Sequence, residues 1–126
     1  MIAGIYNLTI EQGSTFVRLI SIEQPDLATD PTGETFEPYL LNGHSARMQI
    51  RRTVESPTAM LSLTSPSGGI IISPGTPENE LSITISAAVT ATLTSSGVYD
   101  LEIIDAGGIV SKVLRGTVTL IPEVTR

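Results

Sequence analysis

Apolar and polar residues alternate along most of this chain, and this two-residue period is what most limits the possible fold. The clearest example is residues 45–54, in which Ala46, Met48 and Ile50 are separated by polar side chains. Successive side chains of a strand point to opposite faces of a sheet, so this spacing predicts an antiparallel strand with one buried and one wet face. Residues 80–86 and 98–104 show the same period. The chain is therefore predicted to be all-β.

Turn residues separate the apolar segments at intervals of roughly 8–12 residues, which is typical of a β-sandwich. We predict an immunoglobulin-like β-sandwich of about seven or eight antiparallel strands, formed as a single domain by residues 1–126. The period changes after Ser86, which predicts a helix cap and one short helical turn near 87–93. Gly116, in the middle of the last predicted strand at 109–121, predicts a bulge or a bend.

Composition excludes several classes of function. The 126 residues include no cysteine, which rules out disulfide scaffolds and thiolate metal sites. The formal net charge of −6 disfavours nucleic-acid binding, because the phosphate backbone repels an acidic chain. There is no apolar run of about 18 residues that would span a membrane, and the start lacks the features of a secretory signal. We expect synthesis in a reducing cytoplasm.

Residues 24–43 interrupt the strand pattern with three prolines and two glycines. We predict a long exposed loop here, with at most a short irregular strand, and loops of this length are often functional. Two interpretations stay open: a solvated acidic loop, or a site for a structural cation held by carboxylate oxygens. The loop and the residue before it carry five acids and no base: Glu23, Asp26, Asp30, Glu34 and Glu37.

We predict no enzymatic activity, no cofactor and no small-molecule substrate. His44 is the single histidine, and the neighbouring Ser45 points to the opposite face of a strand, so the two do not form a nucleophile–base pair. Asp100 and Glu102 share a strand face but have no partner that would separate their pKa values, as paired catalytic carboxylates require. Outward carboxylates on a sandwich mostly solvate its surface.

Four residues are candidates for contact with a partner: Arg47, Arg51, Arg52 and Tyr39. The three arginines have two interpretations. They pair across strands with acids such as Glu102, or they contact an acidic neighbouring subunit. Tyr39 is one of three tyrosines that could stack on a sugar. The first and last strands are candidate sheet edges, and the end segments Met1–Tyr6 and Pro122–Arg126 are candidates for ordering only in an assembly.

The order of these features resembles the small immunoglobulin-like domains of tailed-phage structural proteins, in particular the amino-terminal domain of siphophage baseplate upper proteins. Two positions depart from the pattern: the loop at 24–43 is longer, and Val89 stands where an acid commonly follows two alanines. The family continues into a long extension that carries receptor-binding subunits, whereas this sequence stops at Arg126. The segments that carry the resemblance are Tyr6–Phe16, Ala46–Arg51, Ile83–Ala88, Gly97–Ile103 and Gly116–Leu120.

The resemblance implies a virion structural protein that is made in the host cytoplasm. Its expected role is an adaptor in the tail, baseplate or neck that docks on other virion proteins and anchors fibres or receptor-binding proteins. Several copies are expected in a symmetric assembly, with no nucleic acid or membrane as partner. The alternatives are a decoration (cement) protein on the phage head and a carbohydrate-binding module.

Overall fold

The computed structural model describes residues 3–126, in which strands form nearly all of the regular structure. The helix α1 (Ala87–Thr90) begins after Ser86, whose hydroxyl accepts a hydrogen bond from the amide of Val89, as predicted for a cap. The strands are β1 (Gly4–Ile5), β2 (Leu8–Glu11), β3 (Phe16–Ser21), β4 (Glu23–Pro25), β5 (Phe36–Pro38), β6 (Ser45–Arg51), β7 (Leu61–Thr64), β8 (Ile70–Ser73), β9 (Glu80–Ile85), β10 (Gly97–Ile104) and β11 (Val110–Ile121). The all-β prediction is confirmed.

Two sheets share one hydrophobic core. The larger, sheet A, has the order β1-β11-β10-β6-β7, with β2 also paired to β11, and the smaller, sheet B, has the order β3-β9-β8. The strands β4 and β5 pair with each other as a separate hairpin, which with its connecting turn forms residues 23–38 and is called the arm below.

Alternation places the apolar side chains between the two sheets. The inward side chains of β6, β9 and β10 are almost fully buried, and the residues between them are half-buried or exposed. This confirms the faces predicted for these three strands. The most deeply buried large side chains are Leu8, Ile10, Leu41, Met48, Ile50, Ile70, Leu81, Ile83, Ile85, Leu93, Leu101 and Ile103.

The first segment of the chain forms two strands, β1 and β2, instead of one, which adds to the number of strands predicted. The backbone leaves the ladder at Tyr6 and Asn7, which separates β1 from β2. Both strands run parallel to β11, with Gly4 opposite Leu114 and Leu8 opposite Val118. The prediction that all strands pair antiparallel is therefore wrong at this edge. The first segment runs along β11 in the same direction as that strand before the chain crosses from sheet A to β3 in sheet B.

The bulge in the last strand lies at Val113 and not at Gly116. The register passes from Leu101 opposite Leu114 to Glu102 opposite Lys112, which leaves one unpaired residue. Gly116 is needed for another reason, since an added Cβ would overlap the carbonyl oxygen of Tyr6. The backbone of the first segment can pass this close to β11 only beside a glycine.

Three further predictions need correction. The stretch predicted as a loop at 24–43 contains the β4–β5 hairpin. The last strand is internal, because β10 covers one side of it and β1 and β2 cover the other. Gly4 and Ile5 are paired with β11 within a single copy, so these two residues need no assembly to become ordered. Met1 and Ile2 lie outside the described residues.

Candidate protein-interaction surfaces

The outer face of sheet A carries charged side chains in register across its central strands. Arg47 lies opposite Glu102, and its Nε is 2.7 Å from Oε1 of that carboxylate. The Nζ of Lys112 is 3.0 Å from Oδ2 of Asp100. The antiparallel ladder places Arg47 directly opposite Glu102, whereas Lys112 lies opposite Glu102 and reaches Asp100 diagonally. Of the two interpretations of the arginines, cross-strand pairing with an acid is found for Arg47.

A shallow groove of about 540 Å³ lies on this face, where the end of β6 meets β10 and β11. Arg51 is fixed at its border, donating hydrogen bonds of 2.8 Å to the carbonyl oxygen of Ser56 and to Oε1 of Gln49. We call this surface the basic groove, because cations outnumber acids by three to two among the residues that line it. The cations are Arg51, Lys112 and Arg115, and the acids are Asp100 and Glu102.

The four residues predicted to contact a partner are not all on this surface. Arg47 and Arg51 point outward from sheet A, and Arg52 is exposed immediately beyond the end of β6. Tyr39 is half-buried against the core, and its ring meets that of His44 edge-on at 5.7 Å between centroids. The arginines therefore share one neighbourhood, and Tyr39 lies beyond the opposite end of β6.

The arm uses two of its carboxylates to hold its own turn. Asp30 accepts hydrogen bonds from the hydroxyls of Thr32 and Thr35 at 2.5 and 2.8 Å, and these bonds lower its pKa to about 2. Asp26 accepts one from the hydroxyl of Thr29 at 2.7 Å. Within residues 3–126, no group of three histidine or acidic side chains is placed to hold a metal ion. These acids serve as local caps of the turn.

His44 and the outer carboxylates are engaged in contacts of a structural kind. Nδ1 of His44 lies 3.1 Å from the carbonyl oxygen of Asn42, and the ring packs against Tyr39. Asp100 and Glu102 each contact a cation, as described above. Each contact joins a side chain to its strand neighbour or its own turn.

The outer face of sheet B is uncharged in its middle, and we call it the apolar face. Val17, Leu19 and Ile71 are exposed there by 55%, 62% and 53%. Ser82 lies between Leu19 and Ile71 in the ladder, and Thr84 lies opposite Val17. The sequence contained a signal for this surface, because apolar residues occur at consecutive positions of β3, and one face of a strand cannot bury them all.

No family model matches this chain, and no curated protein matches it. In the part of the chain that the structure describes, the helix α1 has four residues, and no helix is long and apolar enough to cross a membrane.

Proposed function

We propose that this chain is a non-enzymatic structural protein of a phage particle. It acts as an adaptor in the tail, baseplate or neck that docks on other virion proteins and anchors fibres or receptor-binding proteins. The resemblance to phage immunoglobulin-like domains supports this role, and so does the presence of two chemically distinct outer faces on one small sandwich.

The strand order supports an immunoglobulin-like topology. If β3, β6, β7, β8, β9, β10 and β11 are taken as strands B, C, C′, D, E, F and G, sheet B has the order B-E-D and sheet A the order G-F-C-C′. These are the neighbours expected in a variable-type immunoglobulin sandwich. The chain lacks the cysteine pair and the tryptophan of antibody domains, so aliphatic side chains fill its core.

The apolar face is the observation that carries the proposed docking role. Three large aliphatic side chains there are each more than half exposed, with only serine and threonine between them. An uncharged sheet face of this kind is disfavoured in water, and contiguous exposed apolar surface marks sites of protein interaction. Its depletion of charge matches the core of a protein interface, which suits docking on another protein of the particle.

Purified particles of the phage that encodes this sequence provide the test. Quantitative mass spectrometry is expected to find the protein in roughly 3 to 18 copies, in keeping with closed rings in a tail. Hundreds of copies would instead indicate a cement protein on the head. Absence from particles would reject both roles.

A pair of variants links incorporation to the apolar face. Leu19→Asp places a charge at its centre and is expected to remove the protein from particles without unfolding it, because the side chain is 62% exposed. Val124→Asp is the matched control, since Val124 is 93% exposed near the end of the chain. Equal incorporation of both variants would refute docking through this face.

Carbohydrate binding is less favoured by the positions of the tyrosines. Tyr99 is buried and Tyr39 is half-buried, so of the three tyrosines only Tyr6, at 40% exposure, is open to a sugar. Binding to a glycan array that Tyr39→Ala abolishes would revive this alternative.

A further inference from the structure

We propose that the arm of one copy docks in the basic groove of the next copy, so that identical chains assemble head to tail. The inference extends the structural role proposed above by naming the chain's own second copy as a partner. Four observations carry it: opposite charge, matching apolar side chains, the position of the two surfaces, and the independence of the arm from the sheets.

Charge is distributed unevenly over the molecule. The chain has a formal net charge of −6, yet three of its seven cationic side chains line the groove, against two acids, Asp100 and Glu102. The arm carries five acids and no base. Asp26 and Asp30 accept hydrogen bonds from threonines of the turn, and Glu37 accepts one from Gln24, which leaves Glu23 and Glu34 as the acids available to an external cation. The arm and the groove are therefore electrostatically complementary.

Both surfaces also expose large apolar side chains. Leu27 and Phe36 on the arm are 61% and 57% exposed. Ile5 and Val54, which line the groove together with Val98, are 68% and 77% exposed. Charge pairs at the rim of an interface contribute mainly to rate and specificity, whereas burial of apolar groups contributes most of the affinity. The arm and the groove offer both kinds of contact.

The arm and the far end of the groove are separated along β6. The arm precedes this strand, and its base is fixed by hydrogen bonds from Tyr39 to Ile22 and from Leu41 to Glu78. The groove extends from Arg51 and Val54, at the end of the strand, back to Glu102, which lies opposite Arg47. Its Arg51 end lies one strand of seven residues, roughly 20 Å, beyond the start of β6.

The interface that results is heterologous, because it joins two different surfaces. Repetition of such a contact gives a closed ring if the rotation closes and an open chain if it does not. The arm can enter a neighbour without disturbing its own fold, since β4 and β5 are paired with each other and not with either sheet.

Sedimentation velocity of the purified chain tests the proposal without phage particles, so its failure would leave the particle test untouched. We expect oligomers at low ionic strength that dissociate as salt is added, because exposed charges are screened. A wild-type chain that stays monomeric at millimolar concentration and low salt would overturn the proposal.

Charge reversals on each surface identify the contact. Glu34→Lys in the arm and Arg115→Glu in the groove are each expected to weaken association by roughly tenfold or more. Glu123→Lys and Arg126→Glu are the matched controls, because they make the same changes near the carboxyl end. Unchanged melting temperatures show that the variants fold. Equal effects of test and control variants would overturn the proposal.

A mixture of the two variants is the decisive measurement. The Glu34→Lys protein keeps an intact groove and the Arg115→Glu protein keeps an intact arm, so an equimolar mixture is expected to form heterodimers. The two remaining surfaces are both reversed in charge and are therefore complementary again, so the mixture can also grow beyond the heterodimer. A mixture that contains only monomers, as each variant does alone, would overturn the head-to-tail arrangement.

Discussion

Replacing Thr90 by valine removes one hydroxyl from the junction between the helix α1 and the start of the chain. Thr90 is fully buried. Its Oγ1 accepts a hydrogen bond of 3.0 Å from the amide of Gly13 and lies 2.9 Å from the carbonyl oxygen of Ser14. The side chain thereby joins the helix α1 to the turn between β2 and β3. Valine has nearly the same shape, so the change isolates the hydrogen bonds.

The expected decrease in the free energy of unfolding comes from the backbone groups that lose a hydrogen-bond partner. An unsatisfied buried donor or acceptor costs about 1–3 kcal/mol. Gly13 is half-buried, which allows some access to water, so we expect the lower part of this range, about 1–2 kcal/mol. For a domain of this size, this corresponds to a fall in Tm of roughly 3–10 °C.

Urea unfolding followed by far-ultraviolet circular dichroism measures this effect, since the chain has no tryptophan to report by fluorescence. Thr92→Val is the control. Thr92 is exposed, and its hydroxyl donates a local hydrogen bond of 2.7 Å to the carbonyl oxygen of Val89, so we expect a change within about 0.5 kcal/mol. If Thr90→Val were as stable as Thr92→Val, the junction would not depend on the hydroxyl and the reasoning would be refuted.

Three further predictions concern other parts of the fold. Gly116→Ala is expected to destabilise the protein by about 1–3 kcal/mol, because the added methyl group overlaps the Tyr6 carbonyl. Gly4→Ala is the control, since an added methyl group fits there. Equal unfolding free energies of the two variants in urea would contradict this. A double-mutant cycle of Arg47→Ala and Glu102→Gln is expected to give a coupling free energy of about 0.2–1 kcal/mol, because the ion pair is partly exposed. The coupling should be smaller at high salt. A coupling of several kcal/mol would be inconsistent with this. Burial raises the pKa of Tyr99 from 10.0 to about 12, with a smaller contribution from Tyr6. The neutral phenol is therefore favoured in the folded state, and its contribution to stability is complete below pH 10 and is lost as the pH rises towards 12. Tyr99→Phe should show a shallower loss of stability over that interval, and parallel curves for the two proteins would exclude Tyr99 as the source.

The alternating pattern predicted the strands that have one wet face. For β6, β9 and β10 the inward residues could be named from the sequence, because each polar residue between them has to face water. The pattern was ambiguous in β3, where apolar residues are consecutive. The structure shows that Val17 and Leu19 face outward, and this exposes the apolar face that carries the proposed docking role.

The sequence by itself determined the all-β class, the faces of its clearest strands and the cap at Ser86. These are local properties, which residue spacing specifies directly. The tertiary structure decided the parallel placement of β1 and β2 on β11, the close passage of Tyr6 over Gly116, and the separation of the arm from the basic groove. Such features depend on contacts between segments that are distant in the sequence. The spacing of residues along the chain does not encode these contacts, because the free energy that selects them comes from packing around a shared core.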